Sequence, residues 1–441
     1  MKCAFASLGC AKNLVDTENM MGIVKDHGLE IVNDECDADV IVINTCAFIA
    51  DSAQESCDRI LELAEYRKKG KTKCLIVAGC LTQRYGDELM KEIPEIDGII
   101  GTGEYDKIFD VISNALEGNK SSFYSKLGFL APDGAPRVIS TPKHYAYIKV
   151  AEGCSNRCSY CMIPYLRGDF KSRPEEQILR ETEYLASKGM KEALIIAQDT
   201  TRYGEDLYQG RQMLPSLLKK IAKIDGIDWI RLMYAYPSRL NQELIDVMTE
   251  EPKVLKYLDL PVQHGSNEML KMMNRMGTTE QILSVVEKMR KQIPNMVLRT
   301  TFIVGFPGET DKHVEELMDF IEVLRPERAG VFTYSREEGT PAADFKNQIP
   351  QDVMDERRDM VMRRLSEISM DYGESRVGTV EEVYIEGPSE ESELLVEARS
   401  YAEAPDVDGR IYIGDATLKP GDKVKVRITE ATEYDLAAEL I

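Results

Sequence analysis

The chain lacks any long hydrophobic run. None of its 441 residues lies in a stretch that approaches the roughly 18 consecutive apolar residues of a membrane span, so a membrane-spanning helix is not expected. The opening segment, Met1–Leu8, is too short for the hydrophobic part of a signal peptide and runs into the polar Lys12 and Asn13. The sequence therefore predicts a cytoplasmic protein.

Positive charge is also scarce. The chain has 55 Lys and Arg residues against 76 Asp and Glu, which gives a net charge of −21. Proteins that bind nucleic acid usually present a basic surface, because Lys and Arg neutralise phosphates. The composition favours a protein or a small molecule as partner over nucleic acid, although a local basic stripe is compatible with it.

Disulfide bonds are not expected, because the cytoplasm is reducing. The ten cysteines are then buried thiols, reactive thiols or metal ligands, and their positions must decide. Four of them lie near strand starts, before a strand or on a helix, where ordinary buried or half-buried thiols occur: Cys3, Cys36, Cys57 and Cys74. The other six form two sets of three.

Alternating strand and helix patterns predict an α/β fold in three parts. In residues 1–118, apolar runs followed by helical patterns indicate a small open α/β domain with a parallel sheet. Residues 119–143 are rich in Gly, Ser, Pro and Asn and are interpreted as a linker. Residues 144–372 contain six more strand–helix units, typical of a partial or full TIM-like barrel. Residues 375–441 show four short alternating strands and predict a small all-β domain.

The first cysteine set is contiguous. Cys154, Cys158 and Cys161 have the spacing Cys-x3-Cys-x2-Cys and follow the first predicted barrel strand. Three thiolates in one loop can hold three irons of a four-iron cluster and leave the fourth iron open. Structural zinc is the main alternative, but it prefers four ligands and no second cysteine pair is nearby. The motif resembles that of the radical S-adenosylmethionine (SAM) superfamily, in which the open iron binds S-adenosylmethionine and a reduced cluster cleaves it to a 5′-deoxyadenosyl radical.

The second set is dispersed. Cys10, Cys46 and Cys80 each follow one of three predicted strands in the N-terminal domain. Because the carboxyl ends of parallel strands meet at one edge of a sheet, we expect these cysteines to converge there. The arrangement predicts a second three-cysteine cluster site.

Together the two sets resemble the methylthiotransferases of this superfamily over nearly the whole chain. The segments that carry the resemblance are Gly9–Glu18, Asn44–Phe48 and Val77–Gln83. The resemblance implies two 4Fe-4S clusters, of which the N-terminal one carries the sulfur to be inserted. Three polar residues in these segments either hydrogen-bond around that cluster or cap the following helices: Asn13, Asn44 and Gln83.

The resemblance also implies a cofactor site at the barrel mouth. Tyr160, the residue before the third cysteine of the loop, is expected near the adenine of S-adenosylmethionine. Val304, Gly305 and Phe306, at the end of the fifth barrel strand, resemble the segment that backs the adenine and ribose. Ordinary loop packing and a strand-to-helix turn are the alternatives for these positions.

Three further residues are candidates with less support. Gln198 follows the second barrel strand, where many superfamily members hold the cofactor's amino group, although the usual Gly-Gly-Glu is absent. Arg299 inside the fifth strand needs a partner, because a lone buried charge is costly; that partner is either the cofactor's carboxylate or a structural Asp or Glu. His264 at the end of the fourth strand is either a mouth residue or a satisfied core histidine.

The C-terminal part resembles the TRAM domain and is acidic. Residues 375–441 contain 7 Lys and Arg and 16 Asp and Glu, a net charge of −9. Such a surface repels phosphates and attracts a very basic protein. Together with Cys10–Asn13 and the acidic segment Tyr334–Thr340, it favours the branch that inserts a methylthio group at the β-carbon of an aspartate in small-subunit ribosomal protein twelve. That branch implies a ribosomal partner, free or on the ribosome, and a reducing electron donor.

Two other functions remain open at this point. The first is modification of adenosine in transfer RNA, which a basic groove would favour, with these candidate residues: Arg157, Arg167, Lys171 and Arg173. The second is a non-catalytic iron–sulfur protein, which would not bind S-adenosylmethionine and would leave Thr301–Thr310 unexplained.

Overall fold

The N-terminal domain is an open six-stranded parallel sheet with helices on both faces. The computed structural model describes residues 1–441. The elements of this domain are β1 Lys2–Ser7, α1 Ala11–Asp26, β2 Glu30–Val32, β3 Val40–Thr45, α2 Ala50–Lys68, β4 Cys74–Gly79, α3 Cys80–Glu92, β5 Gly98–Ile100, α4 Ile108–Leu116 and β6 Ser121–Phe123. The strand order is β2-β1-β3-β4-β5-β6. The central β3, Val-Ile-Val-Ile-Asn-Thr, is buried throughout, because helices cover both faces of the sheet.

Two edge strands of this sheet were not predicted. Each of β2 and β6 has three residues, too few for a periodic pattern. β6 lies in the range interpreted as a linker, and it extends the sheet by pairing with β5. Arg137, farther along this range, forms buried ion pairs with Glu18 of α1 and with Glu181, both at 2.6 Å.

The central domain is a partial barrel. Its elements are β7 Tyr145–Lys149, β8 Ala151–Glu152, α5 Ile163–Arg167, β9 Lys171–Ser172, α6 Glu175–Ser187, β10 Glu192–Ile196, α7 Leu214–Ile221, β11 Trp229–Leu232, α8 Gln242–Glu250, β12 Val254–Asp259, α9 Asn267–Met272, α10 Thr279–Gln292, β13 Val297–Val304, α11 Asp311–Leu324, β14 Arg328–Thr333 and α12 Gln351–Arg376. The six main strands are parallel in the order β14-β13-β12-β11-β10-β7, and the sheet does not close. The helices pack on its outer face.

The C-terminal domain is a closed five-stranded barrel. Its strands are β15 Val380–Pro388, β16 Val396–Arg399, β17 Ile411–Ile413, β18 Lys423–Ala431 and β19 Leu436–Leu440. They close in the order β15-β16-β17-β19-β18. The strand β19, Leu-Ala-Ala-Glu-Leu, was not predicted, because Ala, Leu and Glu favour helix. Pairing with β17 and β18 overrides that local preference. The predicted three-part α/β fold is otherwise confirmed.

The C-terminal barrel closes the end of the partial barrel at which the strands begin. Glu192, the first residue of β10, accepts from Arg231 at 2.6 Å and from Arg399 of the C-terminal domain at 2.9 Å, and all three side chains are fully buried. Glu403 pairs in the same way with Arg328 at 2.9 Å. The cysteine loop lies at the opposite end of the strands, and this end faces the N-terminal domain.

Helix α1 joins the N-terminal domain to the partial barrel. It buries polar side chains that an isolated amphipathic helix would expose, among them Asp16 and Glu18. Asp16 pairs with Lys149 at the end of β7. This contact fixes the first turn of α1 beside the barrel mouth. No helix of the chain combines the length and the apolar composition needed to cross a membrane.

Candidate functional site

The three dispersed cysteines lie at one edge of the N-terminal sheet. Cys10 is the N-cap of α1, Cys46 follows β3, and Cys80 begins α3 directly after β4. Gly9 precedes Cys10 with φ +85°, and a Cβ there would lie 2.8 Å from the Cβ of Cys46. Gly79 precedes Cys80 with φ +98°, and a Cβ there would overlap the backbone of Thr45. The close approach of the three loops therefore requires glycine at both positions.

Asn13 connects these loops. Its Nδ2 donates to the carbonyl of Leu8 at 3.0 Å and to that of Thr45 at 2.8 Å. Its Oδ1 accepts from Arg167 and lies 3.8 Å from the sulfur of Cys80. Asn13 therefore holds the surroundings of the cysteines and does not cap a helix.

The other two polar candidates also hold loops. Asn44 donates to the carbonyl of Asn13 at 2.8 Å and to Thr17 Oγ1 at 2.9 Å. Gln83 donates to the carbonyl of Tyr124 at 2.7 Å and accepts from the N–H of Thr102 at 3.1 Å. Neither side chain caps the helix that follows it.

Arg167 brings the barrel domain to this edge. Its side chain is 1% exposed, and its Nη1 lies 3.0 Å from Asp16 Oδ2 and 3.1 Å from Glu152 Oε1. Lys149 completes the network by pairing with Glu152 at 2.7 Å. Burial raises the pKa of the Glu152 carboxyl, but Arg167 and Lys149 outweigh it and bring that pKa to about 2. The Glu152 carboxyl is therefore ionised at neutral pH.

The three dispersed thiols differ in acidity. Desolvation raises the pKa of the Cys10 thiol, but Lys12, Arg167 and two backbone N–H groups outweigh it, so that this pKa lies below its ordinary value. Burial raises the pKa of Cys46, and it raises that of Cys80 to about 12. Cys10 is also the exposed member of the set, so it is the most accessible and most acidic of the three thiols.

The contiguous cysteines lie in the loop after β8. The N–H of Cys154 donates to the carbonyl of Gly168 at 3.0 Å, which ties the start of the loop to the end of α5. Arg275 points Nη1 at the sulfur of Cys158 at 3.7 Å and packs its guanidinium 4.2 Å from the ring of Tyr236. Burial raises the pKa of Cys154 to about 11. No group of three or more His, Cys, Asp and Glu side chains in the chain has the spacing of a single-metal site.

Gln198 faces the network from the barrel side. Its Nε2 donates to Glu152 Oε1 at 3.1 Å. Its Oε1 is buried and has no hydrogen-bond partner within the protein. An unsatisfied buried acceptor is costly, so this oxygen is suited to a donor supplied by a ligand.

Tyr160 and Phe306 meet in one apolar cluster at the barrel mouth. Phe306 is fully buried, with its ring 5.4 Å from that of Tyr334, and Tyr160 packs against the same cluster half-exposed. Val304 and Gly305 are buried too, and the N–H of Gly305 donates to Glu309 Oε1 at 2.9 Å. Of the candidate adenine-binding residues, only Tyr160 presents side-chain surface.

Arg299 and His264 have partners within the protein. Arg299 pairs with Asp259 at 2.9 Å and with Asp408 of the C-terminal domain at 3.4 Å. Both ring nitrogens of the buried His264 are engaged, Nε2 by Glu309 at 3.1 Å and Nδ1 by the N–H of Ser266 at 3.0 Å. For both residues the geometry matches the structural alternative, because their charges and ring nitrogens are already satisfied.

Sequence reasoning missed Arg167 as part of the dispersed site and missed Arg275 entirely. Arg167 was considered only as part of a basic groove, whereas it is fully buried. Arg275 follows a short helix and belongs to no motif. Each reaches its cysteines through contacts between residues more than 85 positions apart, and no local signal marks such contacts.

Comparisons with known proteins agree with this architecture. Residues 148–321 match the radical SAM superfamily, residues 2–101 match the uncharacterized protein family UPF0004, and residues 377–441 match the TRAM domain. Among solved structures, the radical S-adenosylmethionine methyltransferase TsrM from Kitasatospora setae aligns with a TM-score of 0.56 at 16% identity, over 77% of this chain and 76% of that chain. The cobalamin-dependent S-adenosylmethionine radical enzyme OxsB aligns with a TM-score of 0.51 at 13% identity, over 83% and 57%. At these identities the likeness is one of fold. The domain match and the cysteine loop define the protein as a radical SAM enzyme, which uses an iron–sulfur cluster and S-adenosylmethionine.

Curated relatives identify the family more closely. Three are named ribosomal protein uS12 methylthiotransferase RimO. The relative from Desulforamulus reducens is 48% identical over 436 residues, that from Thermoanaerobacter sp. 49% over 434, and that from Caldanaerobacter subterraneus 50% over 434. Each alignment covers 98% of both chains. The chain belongs to the family of uS12 methylthiotransferases.

Proposed function

We propose that this protein inserts a methylthio group at the β-carbon of an aspartate in ribosomal protein uS12 and uses two 4Fe-4S clusters to do so. The observation that carries the proposal is the position of α1. This helix begins at Cys10 of the dispersed set, and its Asp16 shares a buried network with Arg167 and Glu152 from the loops beside the contiguous set. Two three-cysteine sites therefore face one mouth.

The residues present fit the groups they would hold. Cys154, Cys158 and Cys161 would bind one cluster and leave one iron for S-adenosylmethionine, and Tyr160 would contact the adenine. Gln198 offers an unsatisfied buried oxygen to the ammonium group of that cofactor. The second cluster would be held by the dispersed set: Cys10, Cys46 and Cys80. Arg299 is left out of the cofactor site, because Asp259 and Asp408 already neutralise it.

When bound, the barrel cluster would supply the electron that cleaves S-adenosylmethionine to a radical, and the N-terminal cluster would carry the sulfur that is inserted. The chain's own residues position these groups. Arg167 ties the dispersed site to the barrel domain, and Arg275 places a positive charge at Cys158. Holding the two sites on either side of one opening brings the reacting atoms together, which is the main contribution a protein makes to such chemistry.

The charge distribution supports a basic protein as substrate. In the C-terminal domain nine exposed acidic residues outnumber four exposed basic ones: Glu382, Glu390, Glu391, Glu393, Asp406, Asp422, Glu430, Glu433 and Glu439 against Lys419, Lys423, Lys425 and Arg427. Of the four residues considered for a transfer-RNA groove, Arg167 and Arg173 are buried and Arg157 pairs with Asp169 at 2.5 Å, which leaves Lys171 as the one exposed cation without a carboxylate partner. The proposal includes uS12 as substrate either free or on the ribosome, and an external electron donor.

The test is a reconstitution without oxygen. Protein loaded with iron and sulfide would be mixed with reductant, S-adenosylmethionine and either uS12 or bulk transfer RNA, and the products weighed by mass spectrometry. We expect uS12 to gain about 46 Da, the mass of an added CH₂S, on one aspartate. A gain on transfer RNA alone, or no gain on uS12 either free or in the small subunit, would overturn the proposal.

A further inference from the structure

Lys12 is a buried lysine with which no carboxylate of the chain pairs. The residue is 6% exposed and lies in the first turn of α1, two positions after Cys10. No carboxylate pairs with its ammonium group and no hydrogen bond engages it. The group against Lys12 Nζ is the ring of Tyr234, whose centroid is 3.2 Å away.

The other buried lysine of this region has carboxylate partners within the chain. Lys149 is 3% exposed and pairs with Asp16 and with Glu152, so its ammonium is neutralised within the protein. A cation–π contact offsets only part of the cost of desolvating an ammonium group. Lys12 lowers the pKa of the Cys10 thiol but has no carboxylate partner in the chain, so its ammonium group remains available to an anion from outside.

The surroundings of Lys12 favour an anion at the barrel mouth. The backbone N–H groups of the first turn of α1 carry the positive end of the helix dipole, and those of Lys12 and Asn13 lower the pKa of the Cys10 thiol. Tyr234 follows β11 at the mouth with φ +59°, a left-handed conformation that is strained for a bulky residue. The contact between Lys12 and Tyr234 thus joins the N-terminal domain to the barrel in the opening between the two cysteine sites.

The two cysteine sites already have cations of their own. Arg167 hydrogen-bonds Asn13 beside the dispersed set, and Arg275 contacts the sulfur of Cys158 in the contiguous set. Lys12 is a third positive charge, two residues after Cys10 and in contact with Tyr234 at the barrel mouth. The reacting part of the substrate must reach both sites, so it is the group that an anion bound to Lys12 would belong to.

We propose that Lys12 binds the side-chain carboxylate of the target aspartate and is the residue that selects an acidic side chain at this site. The inference rests on the proposed function. The carboxylate carbon is bonded directly to the β-carbon, so an ion pair with Lys12 would fix the atom that reacts between the two sites. The ring of Tyr234 would hold the ammonium in place from the barrel side.

The experiment compares two substrates across matched variants. Lys12→Gln, Lys12→Arg and the control Lys25→Gln, an exposed lysine in the last turn of the same helix, would be loaded with iron and sulfide. Each would be measured with uS12 and with uS12 whose target aspartate is replaced by asparagine. The measurements are Kd by fluorescence anisotropy, KM and kcat, 5′-deoxyadenosine formed without substrate, and the potentials of both clusters by EPR.

We expect wild type and Lys25→Gln to prefer the aspartate form, and Lys12→Gln to lose that preference. Because truncating one member of a desolvated charge pair is costly, its Kd for the aspartate form should rise about 30-fold or more while its Kd for the asparagine form changes little. Lys12→Arg should recover part of the preference. Lys25→Gln should match wild type in every one of these measurements.

The outcomes separate this inference from the function on which it rests. A wild-type protein that does not modify uS12 would overturn both. A wild-type protein that modifies uS12, together with a Lys12→Gln variant that still prefers aspartate to the same degree, would overturn the inference alone. So would a variant that weakens both substrates equally while shifting the potential of the N-terminal cluster, because Lys12 would then neutralise the cluster.

Discussion

The two cysteine sites hold the same number of thiols and are built in opposite ways. Cys154, Cys158 and Cys161 occupy one loop, so their proximity is a property of the local sequence. Cys10 and Cys80 are 70 residues apart and meet only because parallel strands end at the same edge of a sheet. The first site needs a loop, whereas the second needs a folded domain and a neighbour.

The arginines at the two sites also differ, because carboxylates pair with one of them and not with the other. Arg275 contacts Cys158 and a carbonyl oxygen, and no carboxylate pairs with it, so its charge acts on the sulfur directly. Arg167 is held by Asp16 and Glu152, which make it a structural tie between domains, and it also lowers the pKa of Cys10. One arginine therefore acts on its site through its charge alone, whereas the other also joins the domains that form its site.

The largest expected effect comes from removing one cysteine of each set. Cys154→Ala should abolish both methylthiolation of uS12 and formation of 5′-deoxyadenosine, because the barrel site would lose a ligand for the cluster that cleaves the cofactor. Cys10→Ala should abolish methylthiolation but leave cofactor cleavage. Product mass and 5′-deoxyadenosine, measured on the same samples, check this.

The control for that pair is Cys36→Ala, an exposed cysteine in neither set. It should behave as wild type in both assays. If Cys10→Ala lost cofactor cleavage as completely as Cys154→Ala, the division of labour between the two sites would be wrong.

The next effect concerns the assembled site. Arg167→Gln removes a buried cation and leaves Asp16 and Glu152 with Lys149 alone, which should cost about 3–5 kcal/mol in the free energy of unfolding. Iron bound per chain should fall toward the amount held by the barrel site. Urea unfolding and iron analysis measure the two quantities.

An exposed arginine provides the matched control. Arg180 pairs with Asp133 at 2.5 Å with both side chains about half-exposed, so Arg180→Gln should change the free energy of unfolding by less than about 1 kcal/mol. A variant of Arg167 with wild-type iron content would show that the dispersed site does not depend on the barrel domain.

The contrast between local sequence and long-range contacts also explains which features of the site the sequence predicted. The contiguous motif and the strand-end positions of Cys10, Cys46 and Cys80 were visible, because spacing and strand order are properties of the chain itself. Arg275 and the true environment of Arg167 were not, because long-range contacts leave no periodic signal. The partner of Arg299 was left between a cofactor and a structural acid; the structure gives two acids, Asp259 of the neighbouring strand at 2.9 Å and Asp408 of another domain at 3.4 Å.

The fold followed the same rule. Long apolar strands such as β3 were predicted, whereas the three-residue edges β2 and β6 were not. β19 was missed because its local preference for helix is overridden by pairing within a closed barrel. The strands and site residues that the sequence did not predict are those whose structure depends on contacts with distant parts of the chain.

A smaller effect is expected where the C-terminal barrel docks. Burial raises the pKa of the Glu403 carboxyl, but Arg376 and Arg328 outweigh it and hold that pKa well below its ordinary value of 4.5. A depressed folded-state pKa stabilises the protein above the unfolded value, and this stabilisation is lost as the pH falls. Docking should therefore weaken below about pH 4.5. Glu403→Gln should cost about 2–3 kcal/mol at pH 7, because it weakens charge-assisted hydrogen bonds while Arg376 keeps Glu381 as a partner, and it should remove that acid dependence.

The single tryptophan reports this step. Trp229 lies at the start of β11 with its ring 4.7 Å from that of Tyr384 in the C-terminal barrel, so its fluorescence should follow docking. The control is Glu433→Gln, an exposed acid of the same domain, which should leave the pH profile unchanged. An identical acid transition in wild type and Glu403→Gln would refute the assignment to this carboxyl.

The smallest effect tests the claim that Arg275 tunes its site. Arg275→Gln removes a positive charge that no carboxylate neutralises, 3.7 Å from the sulfur of Cys158. A nearby cation favours the reduced, more negative form of a cluster, so its loss should lower the reduction potential by on the order of 50 mV, as a partly screened unit charge at this range implies. A redox titration followed by EPR, in a chain whose dispersed cysteines are all alanine, isolates the barrel site.

Arg157→Gln serves as the control, because Arg157 is half-exposed and already paired with Asp169. Equal potentials in wild type and Arg275→Gln would mean that this arginine, like Arg167, is structural, and the contrast between the two sites would then rest on their assembly alone.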